Sequence, residues 1–190
     1  MIRYDSFSIE ENEHLYGPGK RLLLFCQGCS LHCKGCVNKH LWDFSGGNEI
    51  RVEEIISLCD NVDGITLHGG EPLDQYTSVL RLVECLKNNG KTVILFTGYM
   101  YKELNKIQKK IWRKSDIVVS GRYEQDKRNI YLQFRGSTNQ KVYFHKGEYE
   151  KYKVVDGKSV AIIGVKKDGS IDIKGFQSDE LYKSIENLSK

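Results

Sequence analysis

The sequence predicts an α/β fold in which helices flank a mainly parallel sheet. Between residues 22 and 119, short apolar runs typical of buried strands alternate with segments whose apolar residues recur at helical spacing. This alternation is typical of βαβ units with right-handed crossovers. The 190 residues suit a single domain, because a chain of this size buries about 70% of its unfolded surface without needing disulfides.

Four predicted strands cover residues 22–25, 64–67, 92–96 and 116–119. The predicted helices between them carry apolar faces made by Val52, Ile55, Ile56 and Cys59, then by Val79, Leu82, Val83 and Leu86, and then by Leu104, Ile107, Ile111 and Trp112. Loops that leave the carboxyl ends of parallel strands share one edge of the sheet. We therefore expect the loops 26–36, 68–72 and 97–99 to meet at one rim.

The pattern changes after residue 120. Short strands are predicted at 130–134, 141–144, 160–165 and 171–173, with a hairpin turn at Asp168-Gly169 and a last helix from Ser178 that carries Leu181, Ile185 and Leu188. We expect a core at residues 1–145 and a short C-terminal extension at 146–190, a β-hairpin and a helix, packed on it as part of one domain.

Charge and hydropathy exclude several classes of protein. The net charge of +4 comes from basic residues interspersed with acidic ones, so no nucleic-acid partner is evident. The longest apolar run, Leu22 to Cys26, is far below the roughly 18 residues of a membrane span, and the N-terminus lacks a signal-peptide pattern. The sequence therefore predicts a cytoplasmic protein with no membrane partner.

Four of the six cysteines lie between Cys26 and Cys36, a density atypical of thiols that pack as small apolar groups. A structural zinc site usually needs two cysteine pairs separated by roughly a dozen residues, whereas only three residues separate Cys29 from Cys33. A ferredoxin-type site uses four cysteines at spacings that differ from these.

A third interpretation of the loop uses Cys29, Cys33 and Cys36, spaced C-x3-C-x2-C, and leaves Cys26 as a buried thiol at the end of a strand. Three thiolates on an iron-sulfur cubane leave one iron without a protein ligand, and chemistry at a cluster requires such an iron. The cysteine loop is therefore predicted to hold a reactive cluster.

Five segments together resemble one family, the radical S-adenosylmethionine (SAM) enzymes that activate anaerobic, class III ribonucleotide reductases. The segments are residues 17–21, 26–38, 68–73, 96–99 and 135–140, and the resemblance extends over about residues 4–145. It implies a partial (βα) barrel of radical SAM type. It also implies that Cys29, Cys33 and Cys36 hold a [4Fe-4S] cluster and are the metal ligands.

The resemblance further implies a SAM site. Gly69, Gly70, Glu71 and Pro72 correspond to the segment that receives the methionine amino group, and Gly35, Cys36, Val37, Asn38 and Thr97 are further candidate contacts. Glycines let a backbone approach a ligand closely, and a carboxylate complements an ammonium group. His68 is also expected near the ligand. No side chain is assigned a catalytic role, because the cluster and SAM carry the chemistry.

The activity implied is that of an oxidoreductase that cleaves SAM reductively to a 5′-deoxyadenosyl radical and generates a glycyl radical on a partner. The implied partner is an anaerobic ribonucleotide reductase or a related glycyl radical enzyme, and the implied electron donor is a flavodoxin or a ferredoxin-like protein. Two alternatives stay open: a radical SAM enzyme acting on another macromolecule or a small molecule, and an iron-sulfur electron-transfer or zinc-binding module.

Overall fold

A mixed sheet organises the chain in the computed structural model, which describes residues 1–145, 149, 154–165, 171–175 and 184. The first elements are β1 (Ile2–Glu10), α1 (Glu13–Tyr16), β2 (Arg21–Cys26), β3 (Asn48–Ile50), α2 (Val52–Leu58), β4 (Gly64–Gly69) and α3 (Tyr76–Asn88). The remaining elements are β5 (Thr92–Thr97), α4 (Lys106–Lys114), β6 (Ile117–Ser120), β7 (Lys141–Phe144), β8 (Ala161–Val165) and β9 (Ile171–Gly175).

Within the described ranges, seven strands form one sheet in the order β3-β1-β2-β4-β5-β6-β7. The four central strands, β2, β4, β5 and β6, are parallel. The outer strands β1 and β3 on one side and β7 on the other run antiparallel to their neighbours. The predicted α/β architecture with a mainly parallel sheet is confirmed, and closure into a partial barrel stays a prediction.

One face of the sheet packs against the helices. Because successive strand residues point to opposite faces, Leu22 and Leu24 join the larger core while Leu23 belongs to a separate cluster on the other face. Most residues of the predicted helical faces are buried in this larger core, including Val79, Leu82, Val83 and Leu86 of α3 at 0% exposure. The exceptions are Ile56 and Ile107, which are half-buried, and Leu104, which is buried but precedes α4. None of the helices in the described residues has the length and hydropathy that a membrane span requires.

The opposite face carries α1 and part of the C-terminal extension. Leu15 and Tyr16 of α1 pack with Leu23, and Val160 and Ile162 contact the same cluster. Strands β8 and β9 pair antiparallel. The turn predicted at Asp168-Gly169 and the helix predicted from Ser178 lie outside the described residues, and a boundary at residue 145 stays a prediction.

The strand predicted at 130–134 is wrong, because this segment forms turns and bends. Phe134 has a φ of +65°, which lies in the left-handed region and outside the β region of regular strands. The backbone N–H of Gln133 donates to Asp156 Oδ1 (2.9 Å) instead of to a neighbouring strand. Strands β1 and β3 were not predicted at all.

Candidate iron-sulfur and SAM site

Three loops meet at the carboxyl edge of the parallel strands, as the sequence predicts. The Gly70 N–H donates to Cys26 O (2.7 Å), and the Glu71 N–H donates to Gly28 O (2.8 Å). The Gly98 N–H donates to Glu71 Oε2 (2.8 Å). The loop after β4 therefore hydrogen-bonds both the cysteine loop after β2 and the loop after β5.

Glycine at positions 69 and 70 allows this close approach. Gly69 has a φ of +101°, a conformation that L side chains rarely adopt. A Cβ added to Gly70 would lie 2.3 Å from Gly28 O. The two glycines thus bring the backbone after β4 against the cysteine loop.

The Glu71 carboxylate is at the centre of the rim and is 1% exposed. Its Oε1 accepts from the Leu73 N–H (2.9 Å) and the Thr97 hydroxyl (2.9 Å), and its Oε2 accepts from the Gly98 N–H. Burial raises the pKa of Glu71 to about 7, although these three donors oppose the rise. A carboxylate offers about four acceptor positions, so one position on Oε2 remains.

A second polar network ties the same three loops at the rim. Asp74 accepts from the Ser30 N–H (2.7 Å) and from the Tyr99 hydroxyl (2.8 Å), and the Ser30 hydroxyl lies 2.9 Å from the Tyr99 hydroxyl. Burial, together with Asp74, raises the pKa of Tyr99 to about 12. Since Ser30 follows Cys29 directly, this network fixes the start of the cysteine segment.

The three predicted cluster ligands lie on this rim. Cys29 is buried, and Cys33 and Cys36 are half-buried. Burial raises the pKa of the Cys29 and Cys33 thiols, but backbone N–H groups of Leu31 and His32 hydrogen-bond Cys29 and the N–H of Tyr123 hydrogen-bonds Cys33. Hydrogen bonds from backbone amides to sulfur are typical of thiolates that bind iron-sulfur clusters.

The donor set therefore fits a cluster better than a single ion. Among the residues that the structure describes, no three His, Cys, Asp or Glu side chains are arranged to hold one metal ion. A cubane takes one thiolate per iron, so its ligands stand further apart than the ligands of a single ion. Cys26 is 0% exposed within the apolar core, and burial raises its pKa to about 12, as expected of a structural thiol.

The other predicted SAM contacts occupy different positions on the rim. Val37 is 80% exposed, and Asn38 precedes a short 3₁₀ helix, Lys39–Leu41. Pro72 starts a second 3₁₀ helix, Pro72–Gln75. Thr97 is buried, and its hydroxyl donates to Glu71 and accepts from the Tyr99 N–H (3.1 Å).

His68 lies on the sheet face opposite the large core. Its ring is 5.2 Å from that of Phe25 and 4.5 Å from that of Phe96, centroid to centroid. Its Nδ1 accepts from the Gly69 N–H (2.7 Å), and burial lowers its pKa to about 4. A neutral imidazole therefore lines the sheet directly below the glycine pair.

The sequence did not single out Asp74 or the Tyr123 amide as parts of the site. For Asp74 the sequence offers only a weak indication of a place in the site, which is its position directly after the GGEPL segment. The Tyr123 contribution is a backbone group, for which the residue type carries no signal.

Comparison with known proteins places this arrangement in a class and then in a family. Residues 15–143 match the family described as a 4Fe-4S single cluster domain. Curated relatives named anaerobic ribonucleoside-triphosphate reductase-activating protein include that of Vibrio cholerae, 35% identical over 138 residues, which cover 67% of this chain and 89% of the relative. The relative from Escherichia coli K12 is 34% identical, with 67% and 90% covered.

Two further matches share less sequence identity with this chain. The activating protein of bacteriophage T4 is 29% identical over 136 residues, with 67% of this chain and 85% of the relative covered. Among solved structures, QueE from Escherichia coli matches with a TM-score of 0.43 and 18% identity over 51% of this chain and 52% of that chain.

The chain is thus an α/β protein with a 4Fe-4S single-cluster domain. It belongs to the family of anaerobic ribonucleoside-triphosphate reductase-activating proteins.

Proposed function

We propose that this protein is a radical SAM enzyme that generates a glycyl radical on an anaerobic ribonucleotide reductase. The observation that carries the proposal is the meeting of the cysteine loop (residues 26–36), through Cys26 and Gly28, with Gly70, Glu71 and Gly98 at one rim. Family membership supports the same assignment, because the curated relatives are named for activating that reductase.

In this proposal Cys29, Cys33 and Cys36 hold a [4Fe-4S] cluster, and the rim around them binds SAM. Reductive cleavage of SAM to methionine and a 5′-deoxyadenosyl radical is the chemistry that the bound cluster supplies. The Glu71 carboxylate offers its remaining acceptor position to the SAM ammonium group, and the Gly69-Gly70 backbone lies beside it. Gly35, Val37, Asn38, Pro72 and Thr97 complete the proposed contacts.

The partner's glycine reaches the rim from solvent in this proposal. Val37, which is 80% exposed at the end of the cysteine segment, borders the approach. A flavodoxin or a ferredoxin-like protein is the proposed electron donor. The proposed location is the cytoplasm.

The test is an anaerobic assay of the iron-reconstituted, dithionite-reduced protein with SAM, with and without the reductase. We expect 5′-deoxyadenosine and methionine, together with a glycyl radical signal in the electron paramagnetic resonance (EPR) spectrum of the reductase. Cleavage of SAM without that signal would reject the reductase as partner and keep the radical chemistry. An intact cluster without cleavage would leave an electron-transfer protein.

Iron content tests the ligand assignment directly. Substitution of Cys29, Cys33 or Cys36 by Ala is expected to abolish the [4Fe-4S] absorption and EPR signals. Cys26→Ala and Cys85→Ala, the latter in a half-buried residue of α3, are the matched controls and should retain the cluster. Loss of the cluster in Cys26→Ala while the protein stays folded would refute the three-cysteine assignment.

A further inference from the structure

Three side chains of the segment from Ser137 to Gln140 form hydrogen bonds with the loop that follows β6. The Gln140 amide donates to Gly121 O (2.9 Å), and the Asn139 amide donates to Arg122 O (2.8 Å). The Ser137 hydroxyl, which is 0% exposed, accepts from the Glu124 N–H (3.2 Å). Residues 121, 122 and 124 are thus each held by one side chain of this segment, which we call the clamp (residues 137–140).

The clamp is itself braced. Oε1 of Gln140 accepts from the N–H groups of Gly136 (2.8 Å) and Ser137 (3.2 Å), so both ends of its amide are used. The Thr138 N–H donates to Lys127 O (3.0 Å), a backbone contact with the far end of the same loop. Although Oδ1 of Asn139 is buried without a hydrogen-bond partner among the described residues, linked polar groups of this kind fix a backbone more firmly than single contacts do.

Tyr123, the residue between the gripped positions, is the one whose N–H hydrogen-bonds the Cys33 thiol. The next turn of the loop also faces the cysteine segment, since a Cβ added to Gly35 would lie 2.6 Å from Oε1 of Gln125. The loop that the clamp holds is therefore the same loop that contacts the cysteine segment.

We propose that the clamp positions the Tyr123 amide against Cys33 and thereby raises the reduction potential of the cluster. This inference rests on the proposed function, in which Cys33 binds the cluster. One-electron reduction adds negative charge to the cluster, and an N–H dipole aimed at a ligand sulfur stabilises the reduced form. Ser137, Asn139 and Gln140 are positioning residues, because they act through Tyr123.

The test measures two properties in each variant: hydrogen exchange of residues 121–125 in the protein without cluster, and the midpoint potential of the reconstituted cluster by EPR-monitored titration. Gln140→Leu removes the donor to Gly121 and the brace, and Ser137→Ala removes the acceptor for Glu124. We expect faster exchange and a shift to a more negative potential, with iron content unchanged.

Thr138→Ala is the matched control, because Thr138 is exposed and contacts the loop through its backbone. It should leave both exchange and potential at wild-type values. Faster exchange with an unchanged potential in the Gln140 and Ser137 variants would overturn the proposal, and so would unchanged exchange. A wild-type protein that binds no cluster would instead refute the proposed function, while the exchange data would still decide whether the clamp holds Tyr123.

Discussion

The two ends of the parallel strands each bury an ionisable side chain, but they surround it with different kinds of partner. At the amino end, Arg21 is 0% exposed. Its Nε donates to Thr66 Oγ1 (2.7 Å), and one Nη donates to Thr92 Oγ1 (2.9 Å) and Pro18 O (3.1 Å). Burial lowers the pKa of Arg21 to about 10, so the guanidinium remains charged near neutral pH.

At the carboxyl end, Glu71 accepts three hydrogen bonds, from the loops after the strands and from Thr97 at the end of β5. Leu73, Thr97 and Gly98 lie after β4 or at the end of β5, and their positions depend on the turns around them. Buried polar groups need partners wherever they occur. At the amino end the partners therefore hold the strands together, whereas at the carboxyl end they hold the proposed site.

Removing Arg21 should give the largest effect. Arg21→Leu leaves several buried oxygen atoms without their donor, and each such atom costs about 1–3 kcal/mol, so we expect the free energy of unfolding to fall by about 3 kcal/mol or more. Urea denaturation followed by circular dichroism measures the change.

The control for Arg21 is its exposed neighbour. Lys20→Ala should change stability by less than about 0.5 kcal/mol. If Arg21→Leu lowered the free energy of unfolding by as little as this control, the buried network at the amino end would not hold the strands together, and the two ends of the strands would not differ.

Replacing Glu71 should have an intermediate effect. In Glu71→Gln an amide N–H₂ faces at least one of the three donors. We therefore expect the free energy of unfolding to fall by about 1–3 kcal/mol. Urea denaturation between pH 5 and pH 8 measures the loss and its pH dependence, because the wild-type pKa of about 7 exceeds the ordinary 4.5.

The sign of that dependence follows from proton binding. Between pH 4.5 and 7 the folded wild-type protein keeps a proton on Glu71 that the unfolded chain has released, so wild-type stability falls as the pH rises, by at most about 1.4 kcal/mol per pH unit. The variant lacks this contribution, while His68 contributes to both proteins alike. The stability difference should therefore shrink as the pH rises, and a difference that stayed constant would show that Glu71 is ionised throughout.

Much of the fold was predictable because its central strands are continuous buried apolar runs, such as the one around Leu24, and its helices have regular apolar faces, such as that of Leu82. The outer strand β1 was missed because polar Asp5, Ser6 and Ser8 interrupt it. The error at 130–134 has the opposite cause, since an apolar sequence there folds into turns that place Phe134 at positive φ.

The candidate site also contains a part that the sequence predicted and a part that it did not. Spacing within one loop singled out Cys29, Cys33 and Cys36 as candidate ligands, because those residues are neighbours in the sequence. The contact of Ser30 with Asp74 joins residues 44 positions apart. Such contacts depend on the register of the parallel strands, which no local pattern specifies.

The smallest expected effect is that of a single hydroxyl at the carboxyl end. Tyr99→Phe removes one hydrogen bond to Asp74 and the contact with Ser30, so stability should fall by only about 0.5–1.5 kcal/mol. Because the partners at this end are loops, the loss should be local: hydrogen exchange should speed up in residues 29–31 and 97–100 but not in β4 or β5. Tyr131→Phe, at a 54% exposed position, is the control and should change neither the stability nor the hydrogen exchange of these residues. Faster exchange throughout the sheet in Tyr99→Phe would mean that the rim supports the strands as Arg21 does, and that the two ends do not differ.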